Sequence, residues 1–184
     1  MYHPCITEKT SKQQKQILDV FQSNLQTQCY HDITITDLCN QAGLTRNIFY
    51  RLFDCKDDVL YALIDNYFYA CSQAISTDSI QHSLITFFSF WKENKQLLDI
   101  LEKNQLNHLL ASRGTLCCKQ IDFGMQKYIH ANWNEYDDEI FSFYVGGFIG
   151  LLFLWYHSGF AKSENEMTEI ALQLLSTPPL VVNK

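Results

Sequence analysis

From Ile33 to Leu63 the chain reads ITITDLCNQAGLTRNIFYRLFDCKDDVLYAL, a stretch that admits few folds. Thr34 offers a hydroxyl to a free helix-start N–H, and Asp37 follows at capping-box spacing. Gly43 closes this first short helix, because glycine accepts the left-handed backbone that helix ends favour. Thr45 caps a second short helix, which Asp54 and Cys55 interrupt. Leu44, Ile48, Phe49, Leu52 and Phe53 follow the spacing of a buried arc, while Arg46, Asn47, Tyr50 and Arg51 take the opposite one. Two guanidiniums, an amide and a phenol on a short exposed helix reach base edges and phosphates. The pattern predicts a helix-turn-helix whose recognition helix faces outward.

Lys56 lies in the first turn of a third, longer helix, beside Asp57 and Asp58. A cation there opposes the helix dipole. With the free backbone N–H groups it makes a place for an anion such as phosphate; the plainer role is a solvated lysine.

The run T-x-x-x-L-x-x-x-A-G-L-T-x-x-x-x-Y-x-x-F-x-x-K-x-x-V, from Thr34 to Val59, resembles the DNA-binding domain of the tetracycline-repressor (TetR) family. Thr34, Leu38, Ala42, Gly43, Leu44, Thr45, Tyr50, Phe53 and Lys56 fall on that pattern without a gap. Two positions depart from it: Cys39 stands where alanine is usual, and Asn47 where glycine is common. The second leaves the operator sequence open. The resemblance implies an all-α chain, with a helix-turn-helix domain over 1–57 and a helical effector-binding and dimerisation domain over 58–184. Few prolines and glycines, and few alternating β-branched runs, agree with an all-helical chain.

The net charge of −6 looks wrong for a DNA binder until it is divided. Residues 1–56 carry six Lys/Arg against five Asp/Glu, and 57–184 carry eight against fifteen. The acidity lies outside the DNA-binding segment. A surplus of one positive charge there is still small, so affinity must come from placed contacts and dimerisation. Seven cysteines with no C-x-x-C pair outline neither a disulfide framework nor a zinc motif, and fit a reduced cytoplasmic chain. The start MYHPCITEKTSKQQ has no apolar signal-peptide core. Ile140–Ser158 lies in the longest uncharged stretch, and its glycines and adjoining acidic cluster read as a buried core helix rather than a membrane span.

In chain order, residues 1–10 read as a loose tail and 11–26 as the first helix, with Ile17, Leu18, Phe21 and Leu25 inward. A helix from Lys56 to about Ile75 belongs to both halves, and the family implies that it transmits ligand binding as a tilt of the DNA-binding domain. Further helices are expected over 80–91 and 95–103. A segment with Leu106, Leu109 and Leu110 meets a break at Ser112-Arg113-Gly114, where Gly114 either breaks or only bends the helix, before helix resumes over 116–132. Asp137-Asp138-Glu139 opens the next helix and Gly159 stops it. Gly146, Gly147 and Gly150 within it suggest close approach of another backbone or a ligand, because glycine weakens a helix. Ser163-x-x-Glu166 caps a last helix, which Pro178-Pro179 ends.

GGFIGLLFLWYHSGFAKSENEMTEIALQLL also resembles a C-terminal domain found on a subset of TetR-like regulators. In such proteins the last two helices pair with their copies as a four-helix bundle. That implies a homodimer, two recognition helices about one DNA turn apart, and a near-palindromic operator.

Phe87, Trp91, Tyr128, Phe148, Trp155 and Tyr156 are candidates to line an apolar ligand cavity, with plain core packing as the other account. His108, His130 and His157 lack metal-ligand spacing, and Cys117-Cys118 fits buried thiols better than a redox sensor. Without a Walker loop, a G-x-S-x-G elbow or a dinucleotide-binding glycine fingerprint, neither an enzyme nor a cofactor is expected. The sequence thus points to a TetR-like, cytoplasmic, dimeric repressor of double-stranded DNA, controlled by a small-molecule effector. Thr34, Thr45, Tyr50 and Lys56 are its phosphate contacts, Arg46 and Asn47 its base contacts, and Arg51 serves either role. The alternative is a helical protein-binding adaptor or coactivator that does not itself bind DNA.

Overall fold

The computed structural model describes residues 2–3, 7–75, 79–120 and 137–176. Among them it shows only helical elements: α1 (Glu8–Thr27), a 3-10 turn (Tyr30–Asp32), α2 (Ile35–Ala42), α3 (Arg46–Leu52), α4 (Lys56–Ala74), α5 (Ile80–Glu93), α6 (Lys95–Lys103), α7 (His108–Gln120), α8 (Asp137–His157) and α9 (Glu164–Ser176). They form two compact units. One comprises Met1–Tyr67 with Asp99–Leu109, the other Phe68–Leu98 with Leu110–Lys184. Both α4 and α6 therefore contribute residues to each unit.

The first unit is built on α1, whose Ile17, Phe21 and Leu25 are fully buried with Leu38 of α2 and Phe49 of α3. Glu8, not Ser11, begins α1. Thr7 accepts the Thr10 N–H while the Thr10 hydroxyl oxygen accepts the Thr7 N–H, a reciprocal cap made by two threonines. Glu or Gln usually occupies the second position, which is why the sequence pattern placed the start later.

In the second unit α9 lies along α5, and α8 also contacts α5. Phe88, Trp91, Leu152, Trp155, Met167 and Ala171 are buried there. The α8–α9 corner is tightly bonded. Gly159 adopts φ +68°, the Trp155 indole N–H donates to the Lys162 carbonyl at 2.9 Å, and Lys92 pairs with Glu164 at 2.7 Å. Ser163 and Glu166 form a reciprocal cap, with the Ser163 N–H donating to the carboxylate at 2.7 Å and the Glu166 N–H to the Ser163 hydroxyl at 3.3 Å.

One expectation needs revision. Helix α7 runs through Ser112-Arg113-Gly114 without a break, because Gly114 meets a need for space and not for a turn. A Cβ there would lie 2.8 Å from the Phe68 ring tip and 3.0 Å from Val145. On α8, no described residue comes within 4 Å of where a Cβ would stand on Gly146, Gly147 or Gly150. Among the described residues their face of α8 is open. The helix expected to continue to 132, with Tyr128 and His130, and the closing Pro178-Pro179 lie outside the described residues.

Candidate nucleic-acid interface

Local chemistry fixes the two short helices. The Thr34 hydroxyl accepts the Asp37 N–H at 3.1 Å and donates to the Asp37 carboxylate at 2.6 Å, so one side chain both starts α2 and orders its first turn. Gly43 adopts φ +66°, and the Leu44 N–H reaches back to the Cys39 carbonyl at 2.9 Å, closing the helix end. The Thr45 hydroxyl then accepts the Ile48 N–H at 3.4 Å and opens α3.

Helix α3 has a fixed face and a free one. Phe49 and Leu52 are buried beneath it, followed by buried Phe53, and the Phe49 and Phe53 rings lie 5.5 Å apart. On the other side Thr45, Arg46, Asn47, Tyr50 and Arg51 are all exposed. Arg46 reaches along this surface to the Tyr50 hydroxyl at 3.4 Å, with its guanidinium 5.9 Å from the ring centroid. That contact joins two long exposed side chains along one face of α3. It also presents the remaining guanidinium donors outward, as bidentate recognition of a base edge or a phosphate requires. The sequence-chosen set thus converges, except for two members. Thr34 stands at the start of α2, and Lys56 is turned inward.

The Lys56 ammonium donates to the Tyr30 carbonyl at 2.7 Å, the Ile33 carbonyl at 2.8 Å and the His31 carbonyl at 3.4 Å. It also lies 4.3 Å from the centroid of the Tyr30 ring. This departs from the expectation of an ammonium facing an anion, because its partners come from the loop before α2. Burial lowers its pKa, opposed by the carboxylates of Asp57 and Asp32. The same turn is held twice more: the Tyr30 hydroxyl donates to Asp57, and the Tyr30 N–H donates to the Asn104 side-chain carbonyl at 2.7 Å. Burial first, then the bond to Asp57, pushes the Tyr30 phenol far above its ordinary range. Tyr30 and Asn104 were missed as site-supporting residues. Only the aromatic residue in an otherwise polar loop hinted at one of them.

The second unit holds an apolar cavity of about 50 Å³, lined by Phe68, Ile75, Ile80, Leu84, Phe87, Val145, Phe148 and Ile149, with Ser83 and Cys118 as its polar members. Phe87 and Phe148 are thus brought together, with ring centroids 6.2 Å apart. Trp91 packs beside them at 6.3 Å from Phe87, without lining the cavity. Trp155 packs on Phe88 and Phe160, and Tyr156 on Phe153 and Phe160, so both are core and corner residues in the single chain. Tyr128 lies outside the described residues. Burial pushes the Cys118 thiol up to about 12 and the Cys71 thiol also to about 12, which keeps both protonated and poorly nucleophilic at neutral pH.

A helix-turn-helix carried on α1–α3, continued by a helical second unit, is the fold of TetR transcriptional regulators, and this chain shares that fold. The TetR transcriptional regulator from Streptococcus agalactiae 2603V superposes with a TM-score of 0.65 over 92% of this chain and 96% of that one, at 18% identity. The dihydroxyacetone kinase operon activator DhaS superposes at 0.55 over 89% and 93%, at 20% identity. In sequence, the chain is 26% identical over 129 residues to the HTH-type dhaKLM operon transcriptional activator DhaS of Lactococcus lactis subsp. lactis (strain IL1403), covering 66% of this chain and 67% of that protein. No family model matches the chain. Among the described residues no helix is long and apolar enough to cross a membrane.

Proposed function

We propose that this protein is a homodimeric regulator that binds a near-palindromic DNA operator through α3 and represses transcription until a small effector enters the second unit. One observation carries the reading: α3 is pinned by Phe49 and Leu52, while Arg46, Asn47, Tyr50 and Arg51 stand exposed together. Arg46 and Asn47 read base edges, Thr34, Thr45 and Tyr50 hold phosphates, and Arg51 serves either contact. Pairing through α8 and α9 sets the spacing of the two heads. The apolar cavity supports an effector that is itself apolar, and a ligand favouring the wrong head spacing weakens DNA binding by linkage.

The test is binding of the purified protein to the DNA upstream of its own gene across a salt series. Specific binding whose logarithm falls steeply with log salt supports the reading. Binding no tighter than to random DNA, there and in a genome-wide selection, sinks it. Two observations favour other outcomes. The DhaS proteins are described as activators, so a reporter on the bound fragment must decide the sign of regulation. The small positive surplus of residues 1–56 favours a protein-binding adaptor, which would show no salt-dependent operator binding at all.

A further inference from the structure

Lys56 and Asn104 are far apart in sequence and meet on one short turn. An ammonium has three protons, and three carbonyls, of Tyr30, His31 and Ile33, accept from Lys56. Those carbonyls belong to the 3-10 turn and its C-terminal cap, where the backbone dipole is negative; the Tyr30 oxygen also accepts the Ile33 N–H at 3.3 Å. Ile33 immediately precedes Thr34, the cap of α2, so a grip on the Ile33 carbonyl is a grip on the start of the helix-turn-helix. Asp57, the next residue of α4, takes the Tyr30 hydroxyl. Asn104 closes the other side. Its amide carbonyl accepts the Tyr30 N–H at 2.7 Å while its NH₂ donates to Ile100 at 2.8 Å, which ties the turn to α6.

We infer that Lys56 is a positioning residue, which sets the helix-turn-helix by clamping the Tyr30 turn instead of contacting phosphate, and that Asn104 completes the clamp. A phosphate competing for this ammonium would have to displace carbonyls already at bonding distance in a partly buried place. The inference rests on the reading that the protein binds DNA, yet one arm of its test needs none.

The first arm is the rate of lysine acetylation in the free, full-length protein, read by mass spectrometry. Lys9, Lys12 and Lys15 are exposed on α1 and serve as internal references. Lys56 is expected to react several-fold more slowly than they do, and a bound duplex should protect it no further. Reaction at the reference rate, or protection appearing only with DNA, overturns the clamp.

The second arm uses a duplex recovered by selection from a random-sequence pool. Lys56→Arg keeps the charge but replaces a tripod of donors with a flat fork. It should weaken binding about tenfold with an unchanged salt slope. Asn104→Ala removes no charge and should act in the same direction. Parent-like binding by both variants overturns the inference, as does a salt slope shallower by about 0.9 per protomer in Lys56→Met. If the parent selects no duplex, the DNA-binding reading fails while the acetylation rates still decide the clamp.

Discussion

Gly43 stands at φ +66° with nothing within 4 Å of a Cβ position, so alanine there meets backbone strain and no clash. Gly43→Ala is expected to cost about 1–2 kcal/mol, read as a lower urea midpoint at constant m-value. An unchanged midpoint would mean that the turn relaxes freely. Arg46→Ala tests a contact instead of a torsion. It should relax preference at one base pair by about 1–3 kcal/mol while binding to unrelated DNA falls little. Equal losses on all sequences would reassign Arg46 to the backbone. At this scale the caps were legible: Thr34, Gly43 and Thr45 act on groups within a few residues of themselves, and such chemistry is written locally. The Lys56 geometry was not legible, because its partners lie 23 to 26 residues upstream and a helix-start lysine looks the same either way.

Among the elements, α7 shows where local reading gives the wrong answer for a physical reason. Ser112-Arg113-Gly114 carries the composition of a turn, yet the glycine serves the crossing of α7 past Phe68 and Val145. Phe68 also lines the apolar cavity, so its ring has somewhere to go. Gly114→Ala should therefore push the Phe68 ring toward the cavity. The overpacking penalty of about 1–3 kcal/mol is partly offset by roughly 1 kcal/mol of helix propensity. The sharper readout is xenon uptake, since dry apolar cavities take up xenon. Xenon-induced NMR shifts at Val145 and Ile149 should appear in the parent and vanish in the variant; if both show them, the ring has not moved into the cavity. The α8–α9 corner adds a pH-dependent element. The bond from Lys92 holds the Glu164 carboxyl below its ordinary range. A depressed folded pKa gives stability that is present above the unfolded value and lost as pH falls through the folded one. Glu164→Gln should thus lower stability at neutral pH by less than about 1 kcal/mol, as expected for a solvent-screened, half-buried pair, and by nothing once both forms are protonated.

For the whole molecule, the proposed DNA binding raises the question of how a head with so small a positive surplus would hold a duplex. Six basic against five acidic residues over 1–56 give one head little electrostatic grip, so the proposed function requires two heads acting together on one duplex. The open face of α8 gives the means. Phe143, Gly147, Gly150 and Leu154 repeat at helical spacing along it, with Phe143 75% and Leu154 68% exposed and Leu174 of α9 60% exposed. Between these helices lies a groove of about 180 Å³, lined by Phe143, Gly147, Leu151, Ala171, Leu174 and Leu175. Large apolar side chains around bare glycine backbone are costly to leave in water and leave room for a second helix to approach closely. Leu154→Glu puts a charge in that face, where two copies would bring two carboxylates into one apolar interface. The expected outcome is a monomer by sedimentation velocity at micromolar concentration, with unchanged helicity. Operator affinity should fall by at least about 100-fold, as loss of bivalency implies, while the shallow binding of a single head to any DNA persists. A variant that stays dimeric places the interface elsewhere. A monomeric variant that keeps parent affinity shows that one head suffices, and then the contacts of α3 must be stronger than its charge suggests.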